Sequence, residues 1–77
     1  MAQHFVKEDM SIYDQVYDAL DNATHENGYD HEWELTPVDT ALQIHDWSGI
    51  EGFDPNNSEQ LGEAQDAVFD WRRKNPK

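Results

Sequence analysis

Carboxylates are the side chains of this chain whose spacing comes closest to a chemical purpose. With residues 11–23 on a helical wheel at about 100° per residue, Asp14, Asp18 and Asp21 share one side. On a second wheel, from about Ser58 to Arg73, Glu59, Glu63, Asp66 and Asp70 fall within about 60° of one another. Those four span about 16 Å of helix, with successive carboxylates roughly 4–6 Å apart along the axis. Phosphates on one DNA strand recur at about 3.4 Å of axis per charge. A groove lined with Lys and Arg can therefore accept such a row in place of a phosphate backbone, with fast, charge-steered association. An ordinary solvated helix face mixes signs, because opposite charges at i,i+4 support a helix and like charges oppose it. Neither row contains a base.

Other chemistries find less to work with. The histidines are His4, His25, His31 and His45, and none stands in an H-x-x-x-H pair. His25, Glu26, Asp30, His31 and Glu32 gather around Gly28 and read as solvated turn residues rather than a cation site. Asp54, Asn56 and Ser58 match the opening of a calcium loop. The loop fails where its geometry is strictest, with Glu59 in place of Gly and Gln65 in place of the closing Glu. Ser11, Ser48 and Ser58 lie in no nucleophile motif, and no glycine-rich phosphate loop occurs. The absence of cysteine removes a thiol nucleophile, a disulfide and cysteine-ligated zinc. The expectation is a protein that is not an enzyme and carries no metal or cofactor.

Charge sets the class of partner. The 77 residues carry 17 acids and 5 bases, for a net charge of −12. Residues 1–70 hold every acid and one base, Lys7, while Arg72, Arg73, Lys74 and Lys77 crowd the C-terminus. Such self-repulsion works against a compact state that a small domain stabilises only marginally. Direct binding to nucleic acid, an anionic membrane or an acidic substrate is disfavoured, and a basic, nucleic-acid-binding protein is favoured. The competing reading assigns the acids to solubility or salt adaptation. No segment is long and apolar enough to span a bilayer, and residues 1–10 lack the apolar core of a secretory leader. A cytoplasmic protein, monomeric or a small homo-oligomer, is expected.

The elements that position these residues follow from caps and periodicity. The length allows a single domain over 1–77, with 1–10 and 74–77 as frayed ends. Phe5 and Val6 belong to such an end or to a short edge strand. A first helix is expected from Ser11 to about Asn27, with Ser11 as N-cap and Gly28 as the stop. Its core face holds Ile12, Val16, Ala19, Leu20 and Ala23, with Tyr13 at the edge. Residues 30–47 read as a β-hairpin: Trp33 and Leu35 alternate with Glu32 and Glu34, Leu42 and Ile44 alternate with their neighbours, and Pro37 and Asp39 supply the turn. Trp47 then lies on the other hairpin face, where a Trp rimmed by acids suits an interface anchor. The rival reading makes Thr36 an N-cap and Pro37 the first residue of a helix reaching Trp47. Residues 48–57 form a loop pinned by Ile50 and Phe53, and a last helix from about Ser58 to Arg73 is capped by Asn57. Gly62 inside it permits close packing, and Trp33 and Trp71 fall on core faces. The order α-β-β-α predicts a small two-layer α+β domain, with a three-helix all-α fold as the alternative.

With its size, its charge, its lack of cysteine and its two acidic rows, the chain resembles the small acidic inhibitors of phages and mobile elements, the anti-CRISPR and anti-restriction proteins. The resemblance covers the whole chain and contains no family motif. It implies a non-enzymatic inhibitor that occupies the DNA-binding surface of a host defence protein, such as a PAM-recognising subunit of a CRISPR effector. The residues expected to meet a partner come from the wheels and the hairpin: Asp14, Asp18, Asp21, Glu59, Glu63, Asp66, Asp70, Glu32, Glu34 and Trp47. A small interaction module using the hairpin and Trp47, its acids serving solubility, is the alternative.

Overall fold

The computed structural model describes residues 10–77. The frayed end or edge strand expected around Phe5 and Val6 lies outside the described residues. Three helices follow one another: α1 (Ile12–Glu26), α2 (Pro37–Ser48) and α3 (Ser58–Lys74).

Each helix begins on a side-chain cap. Ser11 Oγ accepts the Asp14 N–H at 3.0 Å. Thr36 Oγ1 accepts the Asp39 N–H at 3.1 Å. Asn57 Oδ1 accepts the N–H groups of Glu59 and Gln60 at 3.0 and 3.2 Å. Each satisfies a donor that the first helical turn leaves free. Gln60, placed by spacing to reach back to its own cap, instead accepts the Asp54 N–H at 2.5 Å and closes the preceding loop. Helix α1 ends at Gly28, whose φ of 74° no side chain adopts readily. The Tyr29 N–H then turns back to the Ala23 carbonyl at 2.8 Å.

The expected hairpin is absent, and residues 37–48 are helical, so the fold is all-α among the described residues. The period-two alternation of Leu42 and Ile44 is outweighed by a local start signal: Thr36 as cap, Pro37 at the first position and Asp39 in the first turn, where the helix dipole favours an anion. Helical spacing then pairs Ile44 with Ala41 and Thr40 on the buried face, all at most 1 % exposed. Leu42, expected beside Ile44, is 37 % exposed. Trp33 and Leu35 lie half-buried in the turn before α2 rather than on a strand.

The core is one cluster: Ile12, Val16, Leu20 and Ala23 of α1, Ala41 and Ile44 of α2, and Ala64, Ala67, Val68 and Trp71 of α3. Tyr29, Ile50 and Phe53 seal it from the loops. Alanines at four of these positions, Ala23, Ala41, Ala64 and Ala67, let helix axes approach closely. Gly62 does not contribute to this, because a Cβ built there meets nothing within 4 Å. Helices α1 and α3 run in the same direction: Tyr13 meets Glu63, Asp21 meets Trp71, and His25 meets Asn75. Helix α2 opposes them, its Thr40 near the start meeting Arg72 near the end of α3.

Two polar clasps hold the loops. Gln15, 5 % exposed, pairs its amide with the backbone of Glu51, donating to the carbonyl at 2.9 Å and accepting the N–H at 2.7 Å. Arg72 turns inward to fasten residues 31–35. Its Nε–H donates to His31 Nε2 at 2.8 Å, and its Nη2 donates to the carbonyls of Glu32 and Leu35 and to Thr40 Oγ1 at 3.0–3.3 Å. The guanidinium also lies 5.6 Å from the centre of the Trp33 ring. Position alone assigns Arg72 to the C-terminal dipole of α3; the fold gives it three acceptors in residues 31–35 and a fourth, Thr40, in α2. His31, expected in solvent, is 8 % exposed, its ring 4.9 Å from those of both Trp33 and Trp71.

Candidate protein-interaction surface

Parallel packing of α1 on α3 draws one carboxylate of the first row, Asp21, and two of the second, Glu63 and Asp70, into the seam between the helices. Tyr13 and Tyr17 line its α1 side with their rings 6.2 Å apart, and both are partly buried against the core. Glu63 and Asp70 line its α3 side. Glu63 accepts the backbone N–H of Tyr13 at 2.9 Å, so a side chain of α3 caps the first turn of α1. Asp70 accepts the Tyr13 phenol at 2.5 Å and also pairs with Arg73 one turn on. That hydrogen bond above all, with desolvation and the Asp70 charge, pushes the Tyr13 hydroxyl up to about 12. Farther along, Asp21 accepts the Trp71 indole N–H at 3.3 Å and lies 3.5 Å from His25.

The seven carboxylates of the rows therefore separate by role. Asp21, Glu63 and Asp70 hold α1 to α3. Asp14, Asp18, Glu59 and Asp66 point to solvent with no ion pair among the described residues. Across the described chain, every Asp and Glu except Glu63 and Asp70 is exposed. The sequence contains no Lys or Arg from Glu8 to Trp71. Past that point Arg72 is engaged inward and Arg73 pairs with Asp70, so the exposed acids of α1 and of the first half of α3 have no neighbouring cation on their own helices.

The other expected contact residues lie elsewhere. Glu32 and Glu34 are exposed, but in the turn that precedes α2 rather than along a strand. Glu32 accepts a long hydrogen bond from the Gln43 amide at 3.4 Å. Trp47 is 52 % exposed at the end of α2, its ring edge-on to Tyr29 at 5.2 Å. It borders a cleft of about 350 Å³ whose opposite wall is α1, where Asp18 and Asn22 contribute. Trp47 and Asp18 thus share one cleft, whereas Glu32 and Glu34 do not join the α1–α3 seam.

Sequence reasoning placed both carboxylate rows but missed the groups that tie them together. Tyr13 was legible only as the edge of an apolar face, because nothing local says that its hydroxyl meets an acid 57 residues away. Gln15 and Arg72 were equally silent, since their partners are backbone groups of distant loops. Among the described residues, no three His, Asp or Glu side chains converge as metal ligands. The start of the apparent calcium loop serves as a turn, in which Asp54 Oδ1 accepts the Asn56 N–H at 3.0 Å. No helix of the described residues is long and apolar enough to cross a membrane. Comparison with protein-family models, with curated proteins and with solved structures found no match.

Proposed function

We propose that the protein is a non-enzymatic, stoichiometric inhibitor of a basic nucleic-acid-binding protein, acting in the cytoplasm of a host cell. On this reading Asp14, Asp18, Glu59 and Asp66 stand in for DNA phosphates in a groove lined by Lys and Arg, with a host defence protein that reads DNA as the target. One observation carries it. Exposed carboxylates stud both α1 and α3, two parallel helices, in a stretch of sequence without Lys or Arg. A surface of single sign costs self-repulsion that a domain of this size can ill sustain, and electrostatic steering towards a basic partner is a use for it.

The test is capture from host lysate, with the bound proteins identified, using the wild-type chain and a variant carrying Asp14→Lys, Asp18→Lys, Glu59→Lys and Asp66→Lys. The expected result is a DNA-binding complex that duplex DNA and moderate salt displace, bound at least about tenfold more weakly by the variant. Capture indifferent to salt, to DNA and to all four substitutions would end the proposal.

The exposure of Trp47 favours a second reading, in which the cleft between α1 and α2 meets the partner and the acids serve solubility. Binding would then depend little on salt, and Trp47→Ala would weaken it more than the fourfold charge reversal.

A further inference from the structure

A second cavity, about 400 Å³ in volume, opens where α1 and α3 end. That is near the lower end of the roughly 300–1,000 Å³ usual for small-molecule sites. Thr24, Tyr29, His31, Trp33, Trp71 and Lys77 contribute to its lining. Two polar atoms of this lining are buried and have no hydrogen-bond partner, Thr24 Oγ1 and His31 Nδ1. His31 as a whole is 8 % exposed. Buried polar groups are nearly always paired, and two orphans on one cavity mark a place where a ligand would satisfy both.

The chemistry of the ligand follows from the tautomer. A guanidinium only donates, so His31 Nε2, 2.8 Å from Arg72 Nε, is the acceptor. A neutral imidazole with an accepting Nε2 carries its proton on Nδ1, so the cavity wall offers an N–H donor. The Thr24 hydroxyl, on the lining of the same cavity, can donate or accept. Trp33, half-buried, supplies aromatic surface with the enclosed rings of Tyr29 and Trp71 behind it, which favours a flat ring over an aliphatic chain. Asp30 and Lys77 border the cavity with opposite charges that offset one another, so a cation would still find a donor and the charge of Arg72 behind it, and a phosphate would meet the field of a chain at −12. We propose that this cavity binds a neutral planar heteroaromatic ring of the nucleobase kind, an acceptor on the ring edge receiving a hydrogen bond from His31 Nδ1–H, a neighbouring edge group pairing with Thr24, and the ring packing on the Trp33 indole. The acids assigned to the partner, Asp14, Asp18, Glu59 and Asp66, do not line this cavity, so it stands or falls separately from the inhibitor reading.

The experiment is a two-dimensional NMR titration of the whole chain with adenosine and with uridine, and with benzene as a ring without an acceptor. Saturable shifts of the Thr24 amide, the His31 ring proton and the Trp33 and Trp71 indoles are expected for at least one nucleoside. Binding should weaken at least about fivefold in Thr24→Val, where a polar partner is lost. That variant removes an unpaired hydroxyl and keeps the side-chain shape, and its amide spectrum verifies the fold. The absence of saturable shifts with both nucleosides, benzene bound as tightly as either, or affinity unchanged in Thr24→Val would each overturn the proposal.

Discussion

The phenol of Tyr13 donates to the Asp70 carboxylate at 2.5 Å, while the backbone N–H of the same residue donates to Glu63 at 2.9 Å. One residue of α1 thus grips two carboxylates of α3 that are two turns apart. A phenol whose pKa rises from 10.0 to about 12 on folding stabilises the fold fully below about 10 and loses that contribution as pH rises through about 12. Alkaline titration of phenolate absorbance should therefore show a tyrosine ionising near 12, and Tyr13→Phe should abolish that component. A wild-type titration complete near 10 would show that the bond does not persist in solution.

The acidic rows should respond differently to charge changes at the seam and outside it. Lysine at Asp18 and Asp66, beyond the first turns where the helix dipole favours an anion, breaks no hydrogen bond of their carboxylates among the described residues and relieves self-repulsion, so the melting temperature should hold or rise. Lysine at Glu63 and Asp70 removes both Tyr13 acceptors and should lower it. Thermal melts of the two variants at low salt make the comparison.

Arg72 should matter more to stability than either of its basic neighbours. Arg72→Met leaves two carbonyls, a hydroxyl and an imidazole nitrogen without their donor, a loss of about 2 kcal/mol after allowance for what water can reach. Arg72→Lys should recover only part, because an ammonium cannot present the planar fork. Lys74→Met should change stability by no more than about 0.5 kcal/mol. Denaturant midpoints read all three.

His31 adds a dependence on acid pH. Burial first, and then the Arg72 charge, holds its imidazole below the usual 6.5. The unfolded chain therefore takes up the proton first. Stability present above about 6.5 should fall as pH drops below that value towards the folded pKa. His31→Gln, which has no such proton to take up, should show a shallower decline. Equal slopes in denaturant unfolding at a series of pH values would contradict a buried neutral ring.

Gly62 lies inside α3 with open space where a Cβ would go and without a positive φ. Gly62→Ala should stabilise the protein by about 0.5–1 kcal/mol, by restricting the unfolded chain and raising helix propensity. A loss of stability on thermal or chemical unfolding would mean that the position is more constrained than its surroundings indicate.

What the sequence determined by itself were properties with a local cause. Ser11, Asn57 and Gly28 mark the limits of α1 and α3 because caps and a positive φ act within a few residues. The acidic rows were legible for the same reason, since they follow from helical spacing alone. Residues 30–47 gave two consistent local readings, a hairpin by alternation and a helix by its Thr36–Pro37 start. Only packing decided between them: Ala41 and Ile44 reach α3 when wound at 3.6 residues per turn, and Leu42 is left outside. Tertiary structure alone assigned the carboxylates of Glu63 and Asp70 to Tyr13, the guanidinium of Arg72 to residues 31–35, the amide of Gln15 to Glu51, and His31 to the wall of a cavity. Each of these pairs residues 36 to 57 positions apart, or closes a space between elements, and no periodicity or spacing along the chain carries that information.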